Sequence, residues 1–218
     1  MDTGRFDLIE RRYRRLASTY DATRRVSERL RPEAVARLGL KPGDTVLDLG
    51  CGTGLSFELI QNYIGPEGQI IGVELSPEML AGAREKLERK RWANVTLIQS
   101  TAEAVELSTN VDAALAFFTP EIISSPRAIK RTMEALRPGG RLVASGSKRA
   151  EGLTGIAVNI WYLFRNRSWR YFPLSYIIKR MWRGDPPYAA MQSVTPSFYI
   201  QDYMGGYMYI AWAIKEDD

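Results

Sequence analysis

The sequence predicts an α/β fold in which a mostly parallel sheet has helices on both faces and ends in an antiparallel hairpin. Two patterns predict it. Short apolar runs alternate with helical stretches between residues 45 and 147, as a parallel sheet requires. Two aromatic and β-branched runs then flank Gly205-Gly206, which is typical of a hairpin at the edge of such a sheet. The length of 218 residues fits a single domain.

The predicted strands are five apolar runs, followed by the two strands of the hairpin in the stretch 197–215. The five runs cover residues 45–50, 69–75, 95–100, 111–118 and 141–147. Helices are predicted between them, over residues 55–64, 77–91 and 125–140. Ser76 and Ser125 each precede a proline and are the expected N-caps, because a serine hydroxyl accepts a hydrogen bond from the first helical turn. The glycines at 139 and 140 are expected to end the third helix.

The composition excludes several kinds of catalysis. The chain has 30 Lys+Arg, 25 Asp+Glu, one cysteine and no histidine. Without histidine there is no Ser-His-Asp or Cys-His nucleophile and no imidazole metal site. A single cysteine allows neither an internal disulfide nor a multi-cysteine zinc site. No metal is therefore expected, and a general base would have to be Asp, Glu, Tyr, Lys or water.

The sequence shows neither a membrane span nor a leader. The longest apolar stretch, residues 153–164, contains Asn159 and is shorter than the roughly 20 residues needed to cross a bilayer. The first ten residues lack the basic and then apolar pattern of a signal peptide. We therefore expect a cytoplasmic protein, with a peripheral position on the inner face of the membrane as the alternative to a free one.

The most specific motif is VLDLGCGTG at residues 46–54. Its glycines Gly50, Gly52 and Gly54 let the chain turn sharply after a strand and let a ligand approach the backbone at a helix N-terminus. Dinucleotide enzymes use G-x-G-x-x-G at this place, whereas the pattern here is G-x-G-x-G. An acidic residue is expected about 20 positions on, at the end of the next strand, to accept the ribose hydroxyls. Glu74 stands there.

From residue 45 to 148 the chain resembles the class I S-adenosylmethionine-dependent methyltransferases. VLDLGCGTG is similar to their first motif, GVELS to their acidic second and LRPGGRLVASG to their fifth-strand signature. The resemblance implies a Rossmann-like seven-stranded sheet whose last strand is antiparallel, and S-adenosylmethionine as cofactor. It divides the single domain into a basic helical region (1–40), a cofactor-binding core (41–148), an aromatic and basic segment (149–190) and the terminal hairpin (191–218).

The resemblance also implies which residues bind the cofactor. They are Tyr20, Asp48, Gly50, Cys51, Gly52, Gly54, Glu74, Leu75, Met79, Thr101, Ala102 and Phe117. In this set Glu74 would bind the ribose, Leu75 and Met79 would flank the adenine, and Phe117 would sit with Phe118 beside the methyl group. The family often has Asp-Ala-Glu after the third strand, and this chain has Thr-Ala-Glu, so a hydroxyl or the backbone would replace that aspartate.

Candidate proton acceptors are Tyr20, Glu121 and Tyr188. Tyr20 is similar to a tyrosine that several small-molecule methyltransferases fold over the methionine end, although a core tyrosine on an amphipathic helix is an equal alternative. Asp185-Pro186-Pro187-Tyr188 copies the D-P-P-Y signature of amino-methyltransferases. That signature follows the fourth strand in the family and the fifth strand here, so residues 185–188 are interpreted as a turn. Cys51 lies within the glycine loop and is not expected to be a nucleophile.

The segment 152–184 interleaves aromatic residues with arginines and contains no acid. Three interpretations are open: a membrane-interface element, because aromatic rings settle at headgroup depth and arginine pairs with lipid phosphate; a lid over a small acceptor; and an RNA-binding surface, ranked third. The residues proposed to contact substrate or membrane are Trp161, Arg165, Arg167, Trp169, Arg170, Lys179 and Arg180.

A looser resemblance concerns the acceptor. Residues 117–148 and the VNIWYLFRNR that follows are similar to bacterial phosphatidylethanolamine N-methyltransferases, and they lack the Asn-rich fourth-strand exit of the quinone C-methyltransferases. The leading hypothesis is methylation of a lipid or lipophilic amine at an anionic membrane surface. The alternative is an N- or O-methyltransferase of a soluble biosynthetic intermediate, and the third is an RNA methyltransferase.

Overall fold

The computed structural model describes residues 28–107, 110–148 and 186–217, and these residues contain a seven-stranded sheet. Its strands lie in the order β3-β2-β1-β4-β5-β7-β6. Their bounds are β1 Thr45–Leu49, β2 Gln69–Glu74, β3 Val95–Gln99, β4 Val111–Phe117, β5 Leu136–Ser147, β6 Phe198–Tyr203 and β7 Met208–Ile214. The number of strands agrees with the fold predicted from the sequence.

Strand direction also follows the prediction. Strands β1 to β5 pair in parallel, and β7 pairs antiparallel with β5 on one side and with β6 on the other. The turn between β6 and β7 uses left-handed backbone at Met204, Gly205 and Gly206, with φ of 49°, 63° and 84°. Two adjacent glycines accept that conformation without a steric cost, which is why Gly205-Gly206 marks the hairpin in the sequence.

Six helices are described, of which the first precedes β1 and the others lie between strands. They are α1 Arg31–Arg37, α2 Phe57–Ile64, α3 Pro77–Lys90, α4 Pro120–Ile123, α5 Pro126–Ala135 and α6 Ala189–Gln192. Both predicted serine caps are present. The Ser76 hydroxyl accepts a hydrogen bond from the Met79 amide (3.3 Å), and the Ser125 hydroxyl accepts one from the Ala128 amide (3.2 Å). Each cap therefore fixes where its helix begins.

The boundary between α5 and β5 differs from the prediction. The helix ends at Ala135 and the strand begins at Leu136, so the Pro-Gly-Gly sequence lies inside the strand rather than at a helix end. The pairing of β4 with β5 shifts register between Val111 and Ala113, which is a bulge. Gly139 has φ of 75° and its amide donates to the Lys215 carbonyl (2.8 Å). The glycines thus serve a bulge, a use that helix-stop patterns do not reveal.

The sheet is covered on both faces. Helices α1, α2 and α3 supply Leu30, Ala34, Val35, Phe57, Ile60 and Leu80 to the core of one face. Helices α4, α5 and α6 supply Ile123, Ala128, Ile129, Met133 and Met191 to the core of the other. Successive strand residues alternate between the two cores, so Val46 belongs to the first and Leu47 and Leu49 to the second. The next residue on the first face is Asp48.

Some expectations fall outside this description. Tyr20, Asp185 and most of the aromatic and basic segment, with its seven proposed contact residues from Trp161 to Arg180, lie beyond the described residues. Among the helices that are described, none has the length and apolarity to span a bilayer.

Candidate active site

The glycine loop leaves the carboxyl end of β1 through three residues in left-handed backbone. Gly50, Gly52 and Gly54 have φ of 68°, 58° and 72°. A Cβ at Gly50 would stand 2.5 Å from Thr119 Cγ2, and one at Gly54 would overlap the ring of Phe57. The loop therefore needs glycine twice over, for its backbone conformation and for its close packing.

The loop lies where the connections of the sheet change direction. β1 pairs with β2 on one side and with β4 on the other, so the chain moves outward first through β2 and β3 and afterwards through β4 and β5. In open α/β sheets the crevice at this switch point, outside the carboxyl ends of the strands, is where ligands bind. The sequence motif and the topology thus indicate the same place.

Glu74, at the end of β2, holds the loop in place. Its Oε2 accepts a hydrogen bond from the Gly52 amide (3.1 Å), and its Oε1 accepts one each from the Leu75 and Ser76 amides (2.9 Å). Burial raises the pKa of this carboxyl, and the same three hydrogen bonds oppose the rise. A carboxylate has about four acceptor positions, so one remains for a ligand hydroxyl. The sequence predicted the ligand contact but not the bond to Gly52.

Asp48 is a buried acid with an unused oxygen. It is 2% exposed, and burial raises the pKa of its carboxyl to about 7, with Glu74 raising it further and with Arg31 and a Ser56 hydrogen bond lowering it. Its Oδ2 has no hydrogen-bond partner. Buried polar atoms are nearly always paired, so an unpaired one beside a glycine loop suits a ligand that carries a positive or hydrogen-bond-donating group.

Arg31, the first residue of α1, reaches the same place from another element. It is 8% exposed, its Nη1 donates to Ser56 Oγ (2.5 Å), and its Nε and Nη2 donate to Glu28 (2.7 Å each). Its guanidinium lies 4.1 Å from the centre of the Phe117 ring. Sequence reasoning missed this residue, because it is one of many arginines in the first 37 residues and no spacing distinguishes it.

The exit of β4 forms the other wall. Phe118 has φ of 56°, a strained value for an aromatic residue, and its amide donates to the Ser145 carbonyl (2.8 Å). Thr119 follows beside Gly50, and its buried Oγ1 has no partner. Glu121, a candidate proton acceptor, is partly buried in the short helix α4 that starts here. The predicted position of Phe117 and Phe118 at the strand exit is therefore observed, and their contact with a methyl group stays a prediction.

The residues proposed to contact the adenine follow strands β2 and β3. Leu75 is partly exposed, whereas Met79 is buried in the first turn of α3. After β3, the Thr101 carbonyl accepts from the amides of Ala104 and Val105, and Ala102 is buried. These residues lie at the carboxyl edge of the sheet beside Glu74, whose carbonyl accepts from the Ser100 amide (3.2 Å). Their contact with an adenine remains a prediction.

Two further residues have structural roles. The Tyr188 ring packs against Phe198 (5.7 Å between ring centres) and against Tyr209 (5.1 Å), within the core formed by α4, α5 and α6. The Ala189 amide donates to the Pro186 carbonyl (3.0 Å), so the chain turns here, as interpreted from the sequence.

Burial raises the pKa of the Cys51 thiol, with Asp48 and Glu74 adding to the rise, which disfavours a thiolate nucleophile.

Comparison with known proteins agrees with this geometry. Residues 46–140 match the family described as methyltransferase domain. That range contains the glycine loop, Glu74 and the exit of β4, and it ends within β5. The described residues contain no cluster of three or more acids, cysteines or histidines that would hold a metal.

The relatives whose function is named match only part of this chain. A demethylmenaquinone methyltransferase of Symbiobacterium thermophilum is 29% identical over 138 residues, which is 59% of this chain and 55% of the relative. An arsenite methyltransferase of Halobacterium salinarum is 35% identical over 119 residues, which is 52% of this chain and 29% of the relative. The chain thus spans about half of the first relative and less than a third of the second.

Solved structures share the fold over most of the chain. A SAM-dependent methyltransferase from Aquifex aeolicus has a TM-score of 0.60 at 20% identity, covering 89% of this chain and 97% of that one. A Haemonchus contortus phosphoethanolamine N-methyltransferase, in complex with phosphomonomethylethanolamine and S-adenosylhomocysteine, has a TM-score of 0.62 at 17% identity over 87% and 53%. Residues 46–140 therefore match a methyltransferase domain, and the chain shares the fold of these solved methyltransferases.

Proposed function

We propose that this chain, whose residues 46–140 are a methyltransferase domain, transfers a methyl group from S-adenosylmethionine to a lipid or lipophilic amine at a membrane surface. The observation that carries the transfer activity is the pairing of the glycine loop with two acids, the part-buried Glu74 and the buried Asp48, at the switch point of the sheet. Two of the described residues whose buried side-chain oxygen has no hydrogen-bond partner, Asp48 and Thr119, lie beside this loop.

The residues present fit this cofactor. Glu74 has an acceptor position left for a ribose hydroxyl, and the unpaired Asp48 Oδ2 suits the methionine ammonium. A Cβ at Gly50 would meet Thr119 and one at Gly54 would meet Phe57, so only glycine allows the loop backbone to pack this closely. Leu75 would contact the adenine. Each of these roles belongs to the proposal and rests on the geometry of residues that already face the loop.

When bound, the cofactor supplies a methyl carbon that a sulfonium makes electrophilic. An acceptor's lone pair would displace the sulfur from that carbon and leave a neutral thioether. The protein's part is to align the acceptor and to exclude water. The exit of β4 would do both, because Phe117 and Phe118 form an apolar wall and the unpaired Thr119 Oγ1 can hydrogen-bond a polar atom of the acceptor.

The proposed reaction requires little proton transfer by side chains at this site. A neutral amine that gains a methyl group becomes a cation and loses its proton afterwards to water or to a carboxylate. Glu121 would be that carboxylate, since α4 begins directly after the acceptor wall. Tyr20 and Tyr188 remain alternative acceptors in the proposal. A reaction of this kind needs no histidine, which agrees with the composition.

The acceptor class rests on weaker support than the transfer. The segment 152–184 combines aromatic residues with arginines and has no acid, a pattern that suits an anionic lipid headgroup. A relative that acts on demethylmenaquinone by its name and a fold neighbour that binds phosphomonomethylethanolamine are both compatible with a lipophilic or amine acceptor. The alternative is a soluble small-molecule acceptor, in which case the segment would cover the pocket.

A methyl-transfer assay tests the proposal. The protein is incubated with methyl-tritiated S-adenosylmethionine and, separately, with total lipid, aqueous small-molecule and RNA extracts. We expect label in the lipid fraction, and none with a Gly52→Val variant, because a side chain at that left-handed position disrupts the loop. Label in the aqueous fraction would favour the alternative, and label in RNA would contradict both small-molecule hypotheses.

Membrane contact is tested separately with vesicles. We expect the protein to cosediment with vesicles of anionic phospholipid at low salt and to be released as salt rises, because the attraction between arginine and phosphate is screened. Neutral phosphatidylcholine vesicles serve as control. Equal recovery with both vesicle types, or with neither, would contradict a lipid-surface acceptor while leaving methyl transfer itself intact.

A further inference from the structure

Arg31 connects α1 to the glycine-loop site through a chain of buried polar groups. We propose that it is a positioning residue, which acts through Ser56 to keep Asp48 ionised and oriented for the ammonium group of the cofactor. This inference rests on the proposed function, since it assigns a partner to the unused Asp48 oxygen. It adds a residue from outside the stretch that matches the methyltransferase family.

The contacts of Arg31 fix its guanidinium tightly. Two of its nitrogens form a forked pair with the Glu28 carboxylate, at 2.7 Å each, and a third donates to Ser56. The central carbon of the group lies over the Phe117 ring, 4.1 Å from its centre. A forked ion pair together with an aromatic contact leaves the side chain little freedom, so its charge is delivered at a set position.

Ser56 is the link between Arg31 and Asp48. It stands at the N-cap position of α2, yet its side chain makes no capping hydrogen bond, and it is 1% exposed. Its hydroxyl oxygen accepts from Arg31 Nη1 (2.5 Å), and the serine makes a side-chain hydrogen bond with Asp48. A hydroxyl that accepts from a cation is a stronger donor to a carboxylate, because hydrogen bonds in a chain polarise one another.

The charges around Asp48 show why this link matters. Burial and the Glu74 carboxylate both favour the protonated form of Asp48, whereas Arg31 and Ser56 favour the ionised form. The Cys51 thiol, also nearby, is itself held protonated. In the adjoining strand, Asp48 pairs with Leu115, which brings no charge. Arg31 is the positively charged group among them. Without it, Asp48 would be protonated and an ammonium ligand would meet a neutral acid.

Calorimetric titration with S-adenosylhomocysteine, which needs no acceptor and no turnover, tests this role between pH 5.5 and 8. The wild-type affinity should fall as the pH drops through about 7, where Asp48 takes up a proton. Arg31→Met should move that midpoint upward by about one pH unit, and so weaken binding near neutral pH by about tenfold. Arg31→Lys, which keeps the charge, should shift it less.

Arg37→Met is the matched control. Arg37 lies on the same helix and also combines an ion pair, with Glu33, and an aromatic contact, with Trp212, but it has no contact with Ser56. Its pH profile should coincide with that of the wild type. If Arg31→Met does not fold, Ser56→Ala gives the second measurement, because it removes the hydrogen bond to Asp48 without removing a helix cap.

The outcomes separate this inference from the proposed function. A wild-type protein that fails to bind S-adenosylhomocysteine would contradict both. A wild-type protein that binds, with an Arg31→Met profile that is parallel to it at every pH, would overturn the inference alone, since a packing role lowers affinity evenly. An upward shift of the midpoint in Arg31→Met or Ser56→Ala, absent from Arg37→Met, supports it.

Discussion

The two ends of the sheet treat their polar groups differently. At the carboxyl end, Asp48 and Thr119 each keep a buried oxygen without a partner, and Phe118 holds a strained backbone. At the amino end, the Asp112 carboxylate accepts from the Thr45 amide and from Arg137, at 2.7 Å each, and so joins β1, β4 and β5.

Asn94, just before β3, completes the contrast. Its amide nitrogen donates to the Gly65 and Gly68 carbonyls (3.2 and 2.7 Å) and to Gln61, and its oxygen accepts from Gln61 (2.6 Å). Beside it lies a cavity of about 480 Å³ along α2 and the turn from α3 to β3. Its lining includes two pairs of polar side chains that bond to each other, Gln61 with Asn94 and Lys90 with Glu58.

The volume of a cavity therefore does not by itself locate a binding site. A group whose hydrogen bonds are complete stabilises the fold, whereas an unpaired buried group has a free-energy cost that the fold accepts only where a ligand can remove it. By that measure the carboxyl end of the sheet is suited to binding a ligand, whereas the polar groups at the amino end stabilise the fold. Four tests examine this distinction between the two ends of the sheet.

The largest effect is expected from glycines at the two ends. Gly54→Ala should lower the free energy of unfolding by about 2–5 kcal/mol, because a left-handed alanine costs about 1–2 kcal/mol and its Cβ would overlap the buried Phe57 ring. Gly43→Ala, before β1, has φ of 88° but nothing within 4 Å, so only the conformational cost remains. Urea denaturation of both variants measures the difference. Equal losses would show that the loop is no more tightly packed than an ordinary turn.

The next effect is on ligand affinity. Glu74→Ala removes the acceptor for the Gly52 amide as well as the proposed ribose contact, so S-adenosylhomocysteine should bind at least about 100-fold more weakly. Glu58→Ala makes the same change of charge at an exposed position beside the cavity and should leave the affinity unchanged. Calorimetry compares them. A weakened Glu58→Ala would indicate that the cavity end also takes part in binding.

A third test uses pH. Because burial raises the pKa of folded Asp48 to about 7, well above the value of an exposed aspartate, its contribution to stability is complete at low pH and is lost as pH rises through 7. Thermal unfolding between pH 5 and 8 should therefore show a decline that Asp48→Asn lacks, on the order of a few kcal/mol. Asp112→Asn, at the amino end, is the comparison. The same slope in wild type and Asp48→Asn would contradict a buried acid at this position.

The smallest effect concerns Asn94. Asn94→Ala leaves the Gly65 and Gly68 carbonyls without a donor, which should cost about 1–3 kcal/mol of stability. The affinity for S-adenosylhomocysteine should stay within twofold of the wild type, because the change is at the far end of the sheet. Denaturation and calorimetry on the same preparation measure both. A loss of affinity larger than the loss of stability explains would break the distinction between the two ends.

The fold could be predicted from the sequence, and so could the position of the glycine loop and Glu74, because local patterns indicate both. Alternating apolar runs indicate the strands, Ser-Pro pairs mark two helix starts, and three glycines mark the loop. The start of β5 was misjudged, since Pro-Gly-Gly ends helices and also makes bulges, and only the pairing with β4 decides between them.

What the sequence could not predict is contact between distant segments. Arg31 meets Ser56 across 25 positions, and Thr119 meets Gly50 across the crevice. Neither pair has a spacing or a residue type that indicates its partner. The unused oxygen of Asp48 was equally hidden, because the sequence shows an acid in the motif without showing which of its hydrogen bonds are made. The orphaned atoms, which locate the site best, are properties of packing.

The order of the strands also bears on how the chain folds. Strands β1, β2 and β3 are neighbours along the chain as well as in the sheet, and each connection between them contains a single helix, α2 and then α3. In contrast, β1 and β4 join positions as far apart as Val46 and Ala113. Loop closure makes the distant pairing slower. The glycine loop with Glu74 would then form early, and the wall at Phe118 and Thr119 would arrive with β4. Hydrogen exchange during refolding should protect the Gly52 amide before the Phe118 amide.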